Sequence, residues 1–393
     1  MTPGPDTSIQ DTPTGTGTGR QQLVFLSGTA FDSVIGGRTR RLADVLSRQG
    51  HRVVFVELPS VRGALHPFLR FGTRSSADGS IRVVRLCPLP GYVRLCRTAI
   101  ARRWETYATR RLSTWIPDLS ESILVTSTPR WAPVVGALPH AVRCYDCIDH
   151  VKVQAGPRGG EIFAEWDECL LQMSDVVTTV AEPLRQHLIT RFDPDCVFMV
   201  PNGVPADWFD RAFEPVPRSR LAARPNRVIA GFLGSLFEWI DVKLLVQVAE
   251  ALPHVEFVLV GPTRHGVRLD ALRRLNNVRC LPAVAFADVP RVIKAFDVCL
   301  IPFRRDVIAE HADPLKVYEY CALGKPVVST VAFGAAGFPA PIVEAEGASE
   351  FAAAVEQAAT EDTPEAQARR VTFAREHTWE QRAGDLVAAV RKT

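Results

Sequence analysis

The sequence predicts an α/β protein with two doubly wound domains, each a parallel sheet covered by helices. The apolar run QQLVFLSG is followed by the helical pattern GGRTRRLADVLSRQGH and the buried strand pattern RVVFVELP. A β-α-β unit of this kind forms a parallel sheet. The same alternation restarts at VIAGFLGS. A chain of 393 residues with 47% hydrophobic content also exceeds the roughly 250 to 300 residues at which single cores stop growing.

Short apolar runs predict the other strands of the first half, which are SIRVVRL, SILVTSTP, AVRCYDCI, DVVTTVA and VFMVPNGV. Phe163, Trp166 and Leu170 recur at helical spacing within residues 161–174 and predict a core helix. In the second half, strands and helices alternate in the order VIAGFLGS, DVKLLVQVAEALP, VEFVLVGP, VRLDALRRL, VRCLPAV, VPRVIKAF, VCLIPF, KVYEYCALG and PVVST. This half therefore forms a doubly wound unit of its own.

Composition places the domain boundaries. Residues 1–21 are rich in Thr, Gly and Pro without an apolar signal region, so we expect a disordered leader. The first domain then covers 22–209, a polar and proline-rich linker 210–227, and the second domain 228–375. In the final segment, 376–393, the residues Trp379, Ala383, Leu386, Val387 and Val390 share one helical face. We expect this helix to pack back on the first domain.

Charge and cysteine usage limit the class of protein. A formal net charge of +3 with 23% charged residues lacks the basic excess of a nucleic-acid binder, so we expect small-molecule partners and no nucleic acid. The 9 cysteines are scattered and odd in number, which favours a reducing cytoplasm. Cys144 and Cys147 form a lone CxxC without a second pair, and we interpret them as small strand residues rather than metal ligands.

The segment GYVRLCRTAIARRWETYATRRLSTWI predicts a basic amphipathic helix. It places Tyr92, Leu95, Ile100, Trp104, Leu112 and Trp115 among arginines from Arg94 to Arg111. The simpler interpretation is an ordinary amphipathic helix with a solvated basic face. The alternative is peripheral contact with an anionic membrane surface, at the inner face of the membrane. No uninterrupted apolar run reaches 18 residues, so we expect no spanning helix.

The stretch DPLKVYEYCALGKPVV carries the main candidate site. Pro314 lacks an N–H and suits a first helical turn, which puts Lys316 at the positive end of the helix. A cation there is unfavourable by a few tenths to about 1 kcal/mol unless an anion is present. The N–H groups from Leu315 onward, the helix dipole and the ammonium would hold a diphosphate, and Glu319 would accept from ribose or sugar hydroxyls. The alternative is a surface Lys316–Glu319 pair.

Other local features add candidates for the same site. GFLGSLFEWID ends a strand with Gly234 and Ser235, where backbone can approach a phosphate closely. Gly36 and Gly37 precede the first helix and either admit a transferred sugar or form an ordinary turn.

Taken together, several motifs resemble those of glycosyltransferases with the GT-B architecture, in family 4 (glycosyl transferases group 1). These motifs are GHRVVFVE, YDCIDH, SDVVTTVAEPL, VPNGV, GFLGSLFEWID, FVLVGP, PLKVYEYCALGKPVVST and HTWEQRA. The resemblance runs from Leu23 to Arg391 and is nearest to the teichuronic-acid-type and xanthan-glucuronosyltransferase-like branch. It implies two Rossmann-like domains facing each other across a cleft, with the nucleotide sugar on the second domain and the acceptor on the first.

The resemblance also implies residue roles. Lys316 would contact the diphosphate of a UDP-, GDP- or dTDP-sugar, and Glu319 would lie near the ribose, with no other cofactor. Many relatives have two glutamates separated by seven residues, and the first position here is His311, beside Glu310. Ser235 and Ile240 replace the Arg and Lys that usually follow the GFLG-type turn.

The remaining candidates surround this site. Arg304 and Arg305 follow the strand VCLIPF and either help neutralise the leaving group or are solvated loop charges. In YDCIDH, Asp146, Asp149 and His150 end a first-domain strand and are expected to face the cleft. Asp149 would act as base or orient the acceptor hydroxyl, with His150 as the other candidate, whereas a helix cap and a polar loop residue are the structural alternatives. No DxD-like metal motif is seen in a suitable loop.

The sequence therefore predicts a cytoplasmic, metal-independent glycosyltransferase acting in cell-envelope polysaccharide, glycolipid or natural-product biosynthesis. The acceptor would be a hydroxyl of a sugar, a lipid-linked or a small molecule. Family 4 likeness favours retention of configuration, and the xanthan-type likeness leaves inversion open. Two alternatives stay open: a nucleotide-sugar 2-epimerase of the same fold, and a catalytically inactive nucleotide-sugar-binding partner protein.

Overall fold

The computed structural model describes residues 20–33, 37–57, 71–151, 160–264, 266–306, 311–330 and 341–392, whose strands form two sheets. Within these residues, the first sheet has eight strands in the order β3-β4-β2-β1-β5-β6-β7-β8. They are β1 Gln22–Ser27, β2 Arg52–Glu57, β3 Gly72–Ser75, β4 Ile81–Arg85, β5 Ile123–Thr126, β6 Val142–Cys147, β7 Val176–Thr179 and β8 Val197–Met199. The strands pair in parallel except for β3, which is antiparallel to β4.

The second sheet is parallel in every pairing of the described residues and has six strands in the order β11-β10-β9-β12-β13-β14. They are β9 Ile229–Leu233, β10 Glu256–Val260, β11 Val278–Leu281, β12 Val298–Ile301, β13 Val327–Ser329 and β14 Val343–Glu344. The predicted pair of doubly wound parallel sheets is therefore confirmed. In each sheet the chain reverses its winding direction at a central strand, β1 in the first and β9 in the second.

Helices cover both faces of each sheet. Those of the first half are α1 Arg38–Arg48, α2 Tyr92–Leu95, α3 Ala99–Trp115, α4 Ala132–Val135, α5 Gly160–Gln172 and α6 Glu182–Ile189. Those of the second half are α7 Arg218–Leu221, α8 Val242–Ala251, α9 Asp270–Arg273, α10 Val289–Lys294, α11 Leu315–Ala322, α12 Gly347–Thr360, α13 Pro364–Arg375 and α14 Trp379–Val390. No described helix is long and apolar enough to cross a membrane.

Alternation along the buried strands builds a core on each face of a sheet, because successive side chains point to opposite sides. In β1, Val24 and Leu26 pack on the side of α3, α5 and α6, whereas Leu23 and Phe25 pack on the side of α1. The last helix, α14, joins the second of these cores through the buried face predicted from its spacing: Trp379, Ala383, Leu386, Val387 and Val390. Helix α14 thus packs on the first sheet.

Two chain segments pass between the sheets and lie against each other. The N–H of Val204 donates to the His377 carbonyl, and the N–H of Trp379 donates to the Val204 carbonyl, both at 3.0 Å. Gly203 permits this approach, since a Cβ on it would lie 2.9 Å from the His377 carbonyl oxygen. Within 210–227, α7 is present and Leu221 is buried against the second sheet, so part of this segment packs on that domain. The boundaries of the linker stay a prediction.

Candidate functional site

A cavity of about 430 Å³ lies between the two domains, at the carboxyl ends of their strands. The ends of central strands in doubly wound sheets form such crevices. From the first domain, the wall includes Gly37, Arg38, Arg41, Asp149 and Asn202. From the second domain, it includes Gly234, Ser235, Pro314, Leu315, Lys316 and Glu319. The structure thus brings most of the predicted site residues to one place.

The amino terminus of α11 opens into this cavity. The helix begins at Leu315, and Pro314 is the preceding cap residue, with φ −69° and ψ 125°, so the proline lies one position before the first turn in which it was predicted. Pro314 has no side chain able to accept from the first N–H groups, and α11 has no side-chain cap. The first N–H groups of a helix need partners from outside its own backbone. A ligand in the cavity is placed to supply them.

Lys316 lies in the first turn of α11 and lines the cavity. Its Nζ lies 2.6 Å from Oε2 of Glu319, and their side chains are 19% and 9% exposed. The pair is therefore largely removed from bulk water, unlike the solvated surface pair considered from the sequence. Both the ammonium and the carboxylate remain on the cavity wall, where a ligand can contact them.

Two glycines shape the wall opposite α11. A Cβ on Gly234 would lie 3.0 Å from Cε of Lys316, so the lysine stem packs directly over this residue. Gly261 has φ +154°, and a Cβ there would lie 1.8 Å from the Gly234 carbonyl oxygen, which only glycine avoids. The buried hydroxyl of Tyr320 accepts from the N–H of Leu233 at 2.9 Å. The end of β9 is thereby fixed to the helix that carries Lys316.

A buried ion pair fixes the start of α1 on the first domain. Nε and Nη2 of Arg38 donate to the two carboxylate oxygens of Asp146 at 2.8 and 2.9 Å, and Thr178 donates to Asp146 at 2.8 Å. Asp146 was predicted to face the cleft with Asp149. It is instead buried within β6, because Arg38 neutralises it there.

A chain of hydrogen bonds connects Arg38 to Asp313 of the second domain. Arg38 Nη1 donates to the carbonyl of Pro201 at 2.8 Å and to the side chain of Asn202 at 3.3 Å. Asn202 donates in turn to Asp313 twice at 2.6 Å, from its N–H to the carboxylate and from its amide to the carbonyl. Tyr318 donates to the same carboxylate at 2.8 Å. Burial raises the pKa of Asp313 to about 6, although these donors oppose the rise.

We expect Arg38→Met to lower the free energy of unfolding by about 3 to 5 kcal/mol, because it leaves the Asp146 carboxylate buried without its partner. Adding Asp146→Leu should restore part of that loss, since the uncompensated charge is then gone. Urea unfolding measures both. Arg48→Met is the control, because Arg48 lies on the same helix as Arg38 but pairs with Glu380 of α14 at an exposed position. Equal free energies of unfolding for Arg38→Met and wild type would contradict the expected contribution of the Arg38–Asp146 pair.

Asp149 lies on the cavity wall, directly after β6. Among the described residues, none forms a hydrogen bond or ion pair with its carboxylate. Burial raises its pKa to about 7, from an ordinary value near 3.8. A carboxylate in this state exchanges protons near neutral pH, which suits a general base.

His150 lies beside the cavity rather than on its wall. Its ring is 5.2 Å from that of His187 and 5.2 Å from that of His311, between ring centroids. His311 belongs to the second domain and occupies the position at which the resemblance places a glutamate. The structure therefore brings His150 against His311 of the second domain.

Several predicted residues are not brought to the cavity wall. Arg304 is exposed, and its backbone N–H donates to the Trp239 carbonyl at 2.7 Å. Arg305 pairs with Glu344 and Glu346 at 3.8 and 3.4 Å. Gly36 and Glu310 lie outside the described residues, whereas Gly37 lies on the wall as the cap of α1. In the described part of the chain, no group of three or more His, Cys, Asp or Glu side chains is placed to hold a metal ion.

Sequence reasoning missed Arg38, Arg41, Asn202 and Asp313 as parts of the site. Asp313 was quoted only as the first residue of DPLKVYEYCALGKPVV, GGRTRR only as the start of the first helical pattern, and VPNGV only as a motif of the resemblance. The one available signal was position, since GGRTRR and VPNGV follow predicted strands of the first domain and so lie at the edge that faces the cleft.

Comparison with known proteins identifies the fold and a family to which part of the chain is similar. Residues 227–361 match the family model described as Glycosyl transferases group 1, which covers most of the second domain. A sucrose-phosphate synthase from Thermosynechococcus elongatus aligns with a TM-score of 0.70 at 16% identity, covering 95% of this chain and 99% of that chain. Anabaena HepE in complex with UDP aligns with a TM-score of 0.64 at 15% identity, covering 95% and 100%. The chain has the GT-B fold, and its predicted resemblance to group 1 glycosyltransferases is confirmed.

Two relatives are nearer in sequence. The putative teichuronic acid biosynthesis glycosyltransferase TuaH of Bacillus subtilis (strain 168) is 27% identical over 200 residues, which cover 47% of this chain and 49% of TuaH. The D-inositol 3-phosphate glycosyltransferase of Mycobacterium marinum is 24% identical over 235 residues, covering 55% and 49%. The chain thus spans about half the length of the curated relatives it matches.

Proposed function

We propose that this protein is a glycosyltransferase that moves a sugar from a nucleotide diphosphate to an acceptor hydroxyl. The observation that carries the proposal is the convergence, in one interdomain cavity, of the uncapped start of α11, the Lys316 ammonium and the Asp149 carboxylate. The first two features suit a diphosphate. The third is a proton acceptor on the facing domain.

The chemistry follows from this arrangement. Sugar transfer breaks the bond between the anomeric carbon and the diphosphate, so negative charge develops on the leaving phosphate. Fixed donors that meet this charge lower the barrier. Lys316 and the N–H groups at the start of α11 would receive the leaving group, and Asp149 would take or orient the acceptor proton. These residues require no metal for their own part in the reaction.

Names of similar proteins support the donor and acceptor classes. One structural neighbour, Anabaena HepE, is described in complex with UDP and glucose, and another, described as trehalose-6-phosphate from E. coli, is bound with UDP-2-fluoro glucose. We therefore place UDP-sugars first among the UDP-, GDP- and dTDP-sugars expected. TuaH supports an acceptor in cell-envelope polysaccharide. Retention of configuration stays part of the proposal on family 4 likeness.

A nucleotide screen followed by turnover tests the proposal. Thermal unfolding with UDP, GDP and dTDP should show a rise in melting temperature for one of them, because a ligand at 100 times its dissociation constant stabilises by about 2.7 kcal/mol. Incubation with the matching nucleotide sugar should then release free nucleoside diphosphate only when an acceptor is added. A protein that none of the three diphosphates stabilises would refute the proposal.

The same assay separates the two alternatives. A nucleotide-sugar 2-epimerase would change the sugar without any acceptor. An inactive binding partner would be stabilised by the nucleotide and show no turnover with any acceptor, an outcome that His311 at the expected glutamate position makes worth testing.

The exposed face of α3 supports peripheral contact with an anionic membrane as an addition to this proposal. Arg102, Arg103 and Arg110 are exposed on α3, and Ile100 is 54% exposed. Each such arginine contributes about 1 kcal/mol near an anionic leaflet. We expect the protein to co-sediment with phosphatidylserine vesicles at low salt, and the triple change to glutamate to abolish this. Sedimentation that is equal for both proteins would remove the membrane from the proposal.

A further inference from the structure

Arg41 extends from the first domain across the cavity to the second. It lies in the first turns of α1, and its guanidinium carbon is 3.4 Å from the centroid of the Phe286 ring. Phe286 belongs to the second domain, just before α10. Both residues line the cavity that holds Lys316. A cation on one domain thus contacts a wall formed by the other.

The guanidinium of Arg41 has no counter-charge in direct contact among the described residues. Its neighbours on α1 are both paired: Arg38 binds Asp146 at 2.8 Å and Arg40 binds Asp44 at 2.7 Å. Burial lowers the pKa of Arg41, and the charge of Glu319 opposes this. Arginine nevertheless keeps its proton in proteins. The Phe286 ring contacts this guanidinium but carries no formal charge, so a half-buried Arg41 favours an anion beside it.

The charges on the cavity wall indicate that a nucleoside diphosphate is a suitable anion for Arg41. Asp146 holds Arg38, and Glu319 already partly compensates Lys316. A nucleoside diphosphate carries two to three negative charges, more than one ammonium and a helix terminus of about half a charge neutralise. Ser235, which follows β9 on the cavity wall, carries no charge. The second domain therefore offers few cations for this ligand among its described wall residues.

We propose that Arg41 supplies the second cation for the donor diphosphate, from the domain opposite Lys316. Glu319 indicates that the two cations are near each other. It pairs with Lys316 at 2.6 Å, and its charge also acts on Arg41. This inference rests on the proposed function. It makes the diphosphate a bridge between the two domains.

Calorimetric titration with paired nucleotides tests the inference. Arg41→Met keeps the stem and removes the charge; we expect it to weaken UDP binding about 10- to 100-fold. UMP binding should change much less, since the terminal phosphate is absent, and Arg41→Lys should be intermediate. If the screen selects GDP or dTDP, the corresponding monophosphate takes the place of UMP. Arg48→Met, on the same helix with its side chain 63% exposed, should bind like wild type.

The outcomes separate this inference from the proposed function. Unchanged UDP binding by Arg41→Met, with loss of binding by Lys316→Met, overturns the role of Arg41 and leaves the function standing. Equal losses for UDP and UMP also overturn it, because they place Arg41 on the nucleoside. Thermal unfolding of both Arg41 variants excludes misfolding as the cause. A wild-type protein that binds no nucleoside diphosphate overturns both proposals.

Discussion

Lys316→Met should weaken nucleoside diphosphate binding by about 10- to 150-fold, the equivalent of the 1.5 to 3 kcal/mol of a hydrogen bond to a charged group. The Lys316 ammonium lies beside the uncapped start of α11 and over Gly234, where a phosphate has few other charged donors. Turnover should fall further, by about 10² to 10³ in kcat, because the charge on the leaving phosphate grows in the transition state. Lys316→Arg should restore part of both.

Two controls keep this result specific. Removing Lys316 leaves Glu319, whose side chain is 9% exposed, without its 2.6 Å partner. Lys316→Met combined with Glu319→Gln removes that uncompensated charge. Stability that recovers in the double variant was lost because the ion pair was broken, whereas binding that stays weak was lost because the ammonium is absent. Lys243→Met changes an exposed lysine in the first turn of α8. Should Lys316→Met bind and turn over donor as well as Lys243→Met, the diphosphate does not reach α11.

The fold could be predicted because its information is local. Runs such as VFLS and VLV are buried on both faces, and a glycine-bearing turn followed by helical spacing marks the crossover that follows the first strand of each half. The edge strands β3 and β14 were missed for the same reason. The residues GTRS of β3 have no apolar alternation, and Val343–Glu344 of β14 is short and exposed. Pairing with a neighbour, rather than their own pattern, makes them strands.

The site residues likewise divide into those that local sequence predicts and those that depend on the tertiary fold. The positions of Lys316, Glu319 and Gly234 on the cavity wall could be predicted, because short sequence patterns indicate helix termini and glycine turns. The contacts of Arg38 with Asp146 and of Asn202 with Asp313 join residues 108 and 111 positions apart, and only the tertiary fold brings them together. Arg304 shows the converse, because its position after β12 suggested the cleft but does not fix the direction of a side chain in a loop.

Asp149→Asn should lower kcat by about 10² to 10⁴ if Asp149 is the general base, because the amide cannot accept the acceptor proton. The wild-type rate should rise with pH through about 7, the value to which burial raises the Asp149 pKa, since only the ionised form accepts a proton. The variant should lose this limb of the profile. Asp270→Asn, an exposed change at the start of α9, should keep it. An Asp149→Asn enzyme with a wild-type rate and pH profile would exclude Asp149 from the chemistry.

Stability offers a second, independent readout of the same carboxyl group. Because the Asp149 pKa is about 7 in the folded protein and near 3.8 when unperturbed, the folded state binds the extra proton between these values. The contribution of Asp149 is therefore fully present below about pH 4 and is lost as pH rises through about 7, by at most about 1.4 kcal/mol per pH unit. Asparagine does not ionise, so urea unfolding should show Asp149→Asn gaining on wild type from pH 4 to 7 and holding that advantage above it. If the difference in unfolding free energy between Asp149→Asn and wild type does not vary with pH, the Asp149 carboxyl group keeps an ordinary pKa in the folded protein. Burial would then not explain a role for Asp149 as a base.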